Sequence, residues 1–309
     1  MQGIVYRSTG SWYNVRDDKG RMWNARIKGV FKLDEITSTN PIAVGDQVEM
    51  ESENEQESTA TITGINARRN YINRQSPRAK HQHHIIAANL DQSVLLATLR
   101  DPRTSQGFID RFLVACEMYH VPAIVIFNKI DAYREKDLEK MRELMEMYES
   151  VGYRVFAVST RLGEGLEEVE AELADATTLI SGHSGVGKST FINAVIPGSG
   201  IKTKDVSGWS GKGMHTTTFA EMYDLPFGGK IIDTPGMREF GLVDVKREEL
   251  SGYFPEMRAR LNDCQFNNCL HTNEPGCAIK DAVVEGDISE DRYVSYYNIL
   301  ESIPEHKKW

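Results

Sequence analysis

The sequence has no long apolar run, no excess of basic residues and no cysteine framework of the kind found in secreted, disulfide-rich proteins. No stretch of its 309 residues approaches the roughly 18 apolar residues of a membrane span. The start, MQGIVYRSTG, shows no apolar signal region. From these absences we expect a soluble, cytoplasmic protein without a membrane partner. No internal repeat or low-complexity tract is evident, and the length suggests two or three globular domains.

The net charge argues mildly against a protein that coats nucleic acid along its whole surface. The formal net charge is −9, whereas neutralising phosphates requires an excess of Lys and Arg. One stretch, 66–84, is locally basic, with five Lys or Arg, three His and no acidic residue. It is either a solvated linker or a local contact for RNA.

The four cysteines do not form the framework of a secreted, disulfide-rich protein. Cys116 stands alone in a helical pattern and is expected in a core. The others share a fourteen-residue stretch with one histidine, in the pattern C-x4-C-x-H-x5-C. Three thiolates and one imidazole suit a closed, structural Zn²⁺ site. Its predicted ligands are Cys264, Cys269, His271 and Cys277. A weaker metal candidate is His81, His83 and His84.

The pattern of hydrophobic residues divides the chain into regions with different predicted folds. About five short alternating strands predict an N-terminal OB-fold β-barrel, with an SH3-like barrel as the alternative. Alternating strands and helices then predict an α/β domain with a mostly parallel sheet. A mainly helical, zinc-binding region ends the chain. The predicted boundaries are 1–66 for the barrel, 67–84 for a basic linker, 85–243 for the α/β domain and 244–309 for the zinc-binding domain.

The stretch GHSGVGKS fits the phosphate-loop pattern GxxxxGKS. It follows a predicted strand and opens a predicted helix, which is the context that the motif needs. Backbone N–H groups would cradle the phosphates, Lys188 would reach the β- and γ-phosphates, and Ser189 would bind Mg²⁺. The predicted phosphate-binding residues are Gly182, His183, Ser184, Gly185, Val186, Gly187, Lys188, Ser189 and Thr190.

Two further motifs predict the residues that respond to the γ-phosphate. In DTPG, Asp233 would hold the Mg²⁺ shell and the N–H of Gly236 would meet the γ-phosphate. GMHTTT lies where switch I belongs, and one of its threonines would reach Mg²⁺. We favour Thr217, with Thr216 and Thr218 as alternatives.

NKID selects guanine as the base. Asn128 would bond the N7 side of guanine, and Asp131 would accept from its N1–H and 2-amino groups, which adenine cannot supply together. The stem of Lys129 would pack over the base. A backbone amide at Ser159 or Thr160 would meet guanine O6.

These motifs occur in the order base, phosphate, switches, which reverses the usual order of base and phosphate motifs. Because the ends of a compact domain are commonly close together, such a domain tolerates circular permutation. We therefore predict a circularly permuted GTPase domain in which switch II runs directly into the cysteine-rich region. A γ-phosphate event could then move a neighbouring domain.

NKID, GHSGVGKST, GKGMHTTT and DTPGMREFGL, together with the barrel and the cysteine pattern, resemble the circularly permuted, ribosome small-subunit-dependent GTPase A family over nearly the whole chain. The resemblance implies a late assembly factor of the small (30S) ribosomal subunit that contacts 16S rRNA as a monomer. It also implies slow hydrolysis of GTP to GDP that the subunit stimulates. His183 and Met214 depart from the Gln and Arg expected at their positions, without changing the phosphate cradle or the metal.

Two other functions remain open, namely a GTPase acting on another RNA complex and a binding module that uses GTP as a structural clamp. In many GTPases a Gln follows the DxxG glycine and orients the attacking water. Here that position is Met237, and His215 is the best local replacement. The predicted catalytic residues are therefore His215, Lys188 and Thr217.

Overall fold

The computed structural model describes residues 1–27, 41–76, 79–201, 220–234, 242 and 245–304, with the backbone alone at 74–76 and 79–84. An eleven-stranded sheet runs through the barrel and the α/β domain. Within the described residues, no helix combines the length and the apolar character needed to cross a membrane.

The N-terminal region is a small barrel. Its strands are β1 (Gln2–Ser8), β2 (Tyr13–Asp17), β3 (Met22–Ile27), β4 (Gln47–Asn54) and β5 (Thr59–Ile65). Strand order β1-β2-β3-β5-β4 is closed by a β4–β1 pairing, and β3 runs parallel to β5. Buried residues alternate along β1 to β3, as a sheet around one core requires. The barrel has the OB-like arrangement that the sequence predicts.

Part of the stretch that the sequence assigns to a basic linker is regular. Tyr71–Ser76 (β6) and Ala79–Ala88 (β7) form a two-stranded antiparallel sheet. The apolar residues of this pair, including Ile72 and Ile86, join the core of the α/β domain. Polar and basic residues around these apolar positions hide the strand pattern in the sequence.

The α/β domain contains five parallel strands in the order β10-β9-β8-β11-β13. A sixth strand, β12, is antiparallel to β13. The strands are β8 (Gln92–Ala97), β9 (Ala123–Asn128), β10 (Arg154–Val158), β11 (Thr177–Ser181), β12 (Glu221–Asp224) and β13 (Lys230–Asp233); the helices are α1 (Gln106–Met118), α2 (Glu135–Ser150), α3 (Leu166–Leu173) and α4 (Lys188–Val195). Every residue of β8 and β9 is buried, as expected for central parallel strands.

Strand β1 joins the barrel to this domain by pairing with β12, where Arg7 stands opposite Glu221. The hydroxyl of Tyr6 donates to Asp224 Oδ1 at 2.8 Å, and Arg16 forms an ion pair with the same carboxylate. The barrel is therefore hydrogen-bonded to the strand that immediately precedes β13 in the chain.

The C-terminal region is helical and packs on α1. Its helices are α5 (Pro255–Arg258), α6 (Ala278–Glu285) and α7 (Glu290–Ser302), with 3₁₀ turns at Arg247–Tyr253 and Leu261–Asp263. The buried guanidinium of Arg292 on α7 lies 2.7 Å from both Asp110 on α1 and Glu256 on α5. Removing one partner of such a pair would leave an uncompensated buried charge, so Arg292 fixes this region against the α/β domain.

Arg68 in the basic stretch has a structural role. Its Nε and Nη2 atoms each lie 2.6 Å from one oxygen of Asp46, and Nη2 also donates to the carbonyl of Pro41. The side chains of Arg68 and Asp46 are 10% and 0% exposed. Arg68 is therefore committed to the barrel and is not a free contact for RNA.

We expect Arg68→Ala to lower the free energy of unfolding by about 3 kcal/mol, because it leaves the Asp46 carboxylate buried and unpaired. Arg69→Ala is the matched control, since Arg69 pairs with Asp91 on the surface and its side chain is 58% exposed. Denaturant unfolding measures both variants. Equal, small losses of stability would contradict the structural role of Arg68.

Candidate nucleotide site and metal centre

The parallel sheet brings the predicted nucleotide-binding motifs to one edge. NKID begins at the last residue of β9, the Ser159–Thr160 pair follows β10, the phosphate loop (182–189) follows β11, and DTPG begins at the last residue of β13. The carboxyl ends of parallel strands lie at the same edge, where α/β proteins bind ligands. The motifs therefore converge although they are far apart in the chain.

The backbone of the phosphate loop leaves no room for a side chain at two of its glycines. Gly182 has φ +144° and Gly187 has φ +98°. A Cβ atom at Gly182 would lie 2.4 Å from the carbonyl oxygen of Leu96, and one at Gly187 would lie 2.6 Å from Nδ2 of Asn128. The loop leads into α4 at Lys188, and the first N–H groups of a helix are suited to binding anions.

Lys188 carries its ammonium group inside the loop. Nζ donates to the carbonyl oxygens of Gly182 at 2.5 Å and His183 at 3.0 Å. Burial lowers the pKa of Lys188, and the nearby Asp233 carboxylate opposes that shift. The loop thus holds the Lys188 ammonium group against its own backbone, at the place where phosphate oxygens would bind.

Asp233 is a buried carboxylate with one oxygen that accepts no hydrogen bond from the described residues. It is 8% exposed, and Oδ1 has no hydrogen-bond partner among the residues that the structure describes. Burial raises its pKa, which Lys188 opposes. A buried oxygen without a partner is costly, and carboxylate and hydroxyl oxygens are ligands that Mg²⁺ accepts. Asp233, with Ser189 in the first turn of α4, therefore fits a magnesium site.

The side chain of Asn128 connects the base and phosphate loops. Nδ2 donates to the carbonyl of Val186 at 2.9 Å, while Oδ1 accepts from Thr160 Oγ1 at 2.7 Å and from Thr160 N at 3.2 Å. The residue is 1% exposed. Because Nδ2 has two N–H groups, one remains for a base after the bond to Val186. Asn128 is thus a structural tie as well as a candidate base contact.

Asp131 is held as an ionised acceptor. Its Oδ1 accepts from Ser159 Oγ at 2.6 Å, and its Oδ2 accepts from Arg161 Nε at 2.8 Å. The Ser159 bond, followed by the Arg161 contact, keeps the pKa of Asp131 below its usual value. Arg161 was not predicted as part of the site, although it directly follows Ser159 and Thr160 in the chain.

Lys129 and Tyr133 complete this side of the site. Lys129 adopts a left-handed backbone with φ +65°, and its Nζ donates to the carbonyl of Asp101 at 2.6 Å. The Tyr133 hydroxyl donates to the carbonyl of Asn128 and accepts from Leu99 N. Tyr133 was not predicted, because a lone tyrosine carries no motif signal.

His183, one of the departures noted in the sequence, packs against an aromatic ring of α1. Its ring lies 3.7 Å from the ring of Phe108 on α1, measured between centroids. Ser184, Gly185 and Thr190 are exposed. His183 therefore contacts α1 through Phe108.

Several predicted residues lie outside the described part of the chain, and they keep their standing as predictions. They are Met214, His215, Thr216, Thr217, Thr218, Gly236 and Met237. The side chains of His81, His83 and His84 on β7 are likewise outside the description.

The predicted zinc ligands converge. One ligand atom from each of four residues lies within 4.8 Å of the others; the residues are Cys264, Cys269, His271 and Cys277. His271 Nδ1 is 3.6 Å from Cys264 Sγ and 3.4 Å from Cys277 Sγ. A tetrahedral site with ordinary Zn–S and Zn–N bonds separates its ligands by about 3.4–3.8 Å. The cluster therefore fits zinc.

The backbone between these ligands is fixed by neighbouring side chains. The carboxylate of Glu274 accepts from Leu270 N at 2.9 Å and Thr272 N at 2.8 Å. Burial alone would raise the pKa of Glu274, but these backbone bonds hold it at about 2. From α7, the hydroxyl of Tyr293 donates to the carbonyl of His271. These supporting residues were not predicted.

Comparison with known families agrees with this architecture. The family model described as RsgA GTPase matches residues 65–243, and the RsgA N-terminal domain matches residues 2–60. The chain belongs to the RsgA GTPase family. The match confirms the predicted family, and the closed barrel confirms the predicted N-terminal fold.

Relatives in the RsgA family are similar over almost the whole chain. Small ribosomal subunit biogenesis GTPase RsgA of Flavobacterium psychrophilum is 52% identical over 97% of this chain and 93% of its own. The Bacteroides fragilis protein of that name is 49% identical over 99% of this chain and 98% of its own.

Solved structures of similar proteins extend the comparison to the fold. The crystal structure of YjeQ from Thermotoga maritima has a TM-score of 0.78 and 33% identity, covering 97% of each chain. YloQ, described as a circularly permuted GTPase, has a TM-score of 0.74 and 27% identity, covering 99% of this chain and 96% of its own. The whole architecture is therefore shared.

The cluster leads us to expect about one zinc ion per purified chain and its loss in Cys277→Ala, because three ligands do not close a structural site. Cys116→Ala is the control, since Cys116 is buried in α1 outside the cluster. Metal analysis measures zinc content, and limited proteolysis tests whether the 264–277 loop opens. Full zinc content in Cys277→Ala would contradict the assignment.

Proposed function

We propose that the chain hydrolyses GTP in the late assembly of the small ribosomal subunit. The geometry that carries the nucleotide assignment is the ionised Asp131 carboxylate, held by Ser159 beside a phosphate loop to which Asn128 is bonded. Guanine pairs two donors with such a carboxylate, and a site built for them rejects bases that lack them. The names of the relatives support the small subunit and its assembly as the setting.

We assign the nucleotide contacts to the residues of the sequence motifs. The base is held by Asn128, Lys129, Asp131 and the Ser159–Thr160 pair, and the phosphates by residues 182–190. Lys188 supplies positive charge at the β- and γ-phosphates, and the N–H of Gly236 meets the γ-phosphate. Magnesium held by Ser189, Thr217 and Asp233 would neutralise charge that develops on the phosphate oxygens.

The sheet offers a route from the nucleotide to the barrel. Asp233 pairs in register with Glu221 on β12, and Glu221 pairs with Arg7 on β1. A change at the end of β13 can therefore act on the barrel through two adjacent strand pairings. In the C-terminal direction, the chain passes from β13 through a short connection into the zinc-binding region. The barrel and the zinc-binding region are both candidates for contact with 16S rRNA. We propose that the protein acts as a monomer in the cytoplasm.

Asp131→Asn should weaken GTP binding at least about tenfold, because an amide N–H₂ would face the donors of guanine. Binding of xanthosine nucleotides should improve relative to GTP, since xanthine offers a carbonyl where guanine has its amino group. Asp18→Asn, at an exposed position in the barrel, is the control. Unchanged GTP affinity in Asp131→Asn would remove the base assignment.

Hydrolysis should depend on the small subunit. We expect single-turnover hydrolysis by the free protein to be no faster than about 5 × 10⁻⁴ s⁻¹, the range of an unassisted GTPase. Small subunits should raise that rate and large subunits should not. Stimulation by another RNA complex alone would favour the alternative substrate, and a rate that no particle raises would favour a GTP-dependent binding module.

His215 is proposed to orient the attacking water, because Met237 cannot replace the usual Gln. His215→Ala should lower the subunit-stimulated rate about 100-fold, the size of a typical general acid–base contribution, while GTP affinity is kept. His120→Ala, at an exposed position after α1, is the control. The role is contradicted if His215→Ala keeps the full stimulation.

A further inference from the structure

Asp233, the carboxylate that fits magnesium, has a second acidic residue directly opposite it. Asp233 on β13 pairs in register with Glu221 on β12. Residues opposite each other in an antiparallel pair lie on the same face of the sheet, with Cβ atoms about 4.5–5.5 Å apart, and like charges so placed are destabilising. Burial is the main cause that raises the pKa of Asp233, and the Glu221 carboxylate adds to it, although Lys188 opposes both. A cation bound at this place would offset the repulsion.

The Glu221 carboxylate is held by a tyrosine and lies beside an arginine of the barrel. The hydroxyl of Tyr223, on the same strand, donates to Glu221 Oε2 at 3.0 Å. Arg7 stands opposite Glu221 on β1, and its Nη1 lies 4.0 Å from Glu221 Oε1. That separation is too long for a hydrogen bond, so Arg7 acts on Glu221 through its charge. The side chain of Glu221 is only 29% exposed, so its charge is screened less than that of a fully exposed group.

The charges of Arg7, Glu221 and Asp233 form one row across three adjacent strands. The strand pairings place Arg7 opposite Glu221 and Glu221 opposite Asp233. The hydroxyl of Tyr223 lies within the field of all three. Burial raises its pKa, the carboxylates of Glu221 and Asp233 add to that shift, and Arg7 lowers it. The row therefore joins a cation of the barrel to the carboxylate that fits magnesium.

We propose that Glu221 is an affinity-setting residue that strengthens Mg²⁺ binding at Asp233, and that Arg7 of the barrel limits this effect. Mg²⁺ usually keeps several of its waters in protein sites, so a neighbouring carboxylate can attract the hydrated ion without touching it. This inference rests on the proposed role of Asp233 in magnesium binding. Because Arg7 belongs to the barrel and Asp233 to the α/β domain, docking of the barrel sets the magnesium affinity of the nucleotide site.

The two charges predict opposite effects when each is removed. Without the negative charge of Glu221, the site should need more Mg²⁺ to fill. Without the positive charge of Arg7, it should need less. A residue that only stabilised the sheet would lower nucleotide affinity whether or not Mg²⁺ is present, so the dependence on Mg²⁺ separates the two roles.

The test measures the affinity of the full-length protein for a non-hydrolysable GTP analogue over a series of free Mg²⁺ concentrations and again in EDTA. For Glu221→Gln we expect the midpoint in Mg²⁺ to rise about fivefold, the scale of one charge acting on a divalent ion through partly screened solvent. Affinity in EDTA should not fall, because glutamine keeps an oxygen for Tyr223 and removes a negative charge near the site. Glu51→Gln, at an exposed position on β4, is the matched control.

The second arm tests the barrel arginine. Arg7→Ala should lower the Mg²⁺ midpoint about twofold, because Arg7 is partly exposed and its charge is partly screened. Arg7→Lys keeps the charge and should behave like the unaltered protein. Arg26→Ala is the matched control, since Arg26 also lies in the barrel and forms an exposed ion pair with Glu53.

The outcomes separate this inference from the assignment on which it rests. An unmoved Mg²⁺ midpoint in Glu221→Gln, or an equal loss of affinity with Mg²⁺ and in EDTA, would overturn the role of Glu221. A midpoint that stays or rises in Arg7→Ala would overturn the role of the barrel. If Asp233→Asn leaves the midpoint unchanged, the magnesium assignment fails and this inference fails with it. If Asp233→Asn raises the midpoint and Glu221→Gln does not, only this inference fails.

Discussion

The parallel register of β8, β9 and β11 is the constraint on which the candidate site depends. Leu95 on β8 pairs with Val125 on one side and with Ser181 on the other. Strand β11 turns into the phosphate loop just after this row, whereas β9 continues for three more residues, or about 10 Å. That offset brings Asn128 alongside the phosphate loop, where its amide reaches Val186. A different offset would separate the base and phosphate loops.

This constraint explains why the reversed order of motifs does not disturb the site. A parallel sheet requires only that the contributing strands end at the same edge, and it is indifferent to the order in which the chain visits them. The rearranged order of the chain also affects the sheet beyond β13. There β12 accepts β1 of the barrel, so a strand next to the predicted switch residues belongs to a sheet shared by two domains.

Charged residues divide into two groups that look alike in the sequence. Arg68 and Arg292 are both buried. Arg68 binds both oxygens of one carboxylate, and Arg292 pairs with two carboxylates. Each therefore fixes one part of the chain against another. Arg161 is exposed and pairs with Asp131, the carboxylate that is proposed to bind guanine. Only the surroundings distinguish a structural arginine from one whose ion pair is easily broken, because burial decides the cost of breaking the pair.

The sequence by itself determined the motifs, the family and the order of the domains. Glycines at 182 and 187, the NKID stretch and the cysteine spacing are local patterns, and their chemistry follows from residue type and separation along the chain. The barrel class was also predictable, because its strands alternate.

The tertiary structure decided the contacts between segments that lie far apart in sequence. It alone showed that Asn128 ties the base loop to Val186, that Arg68 is buried on Asp46, and that Arg161 shares Asp131 with Ser159. Such contacts depend on strand register and on the burial of individual atoms, and neither quantity is encoded in a short stretch of residues.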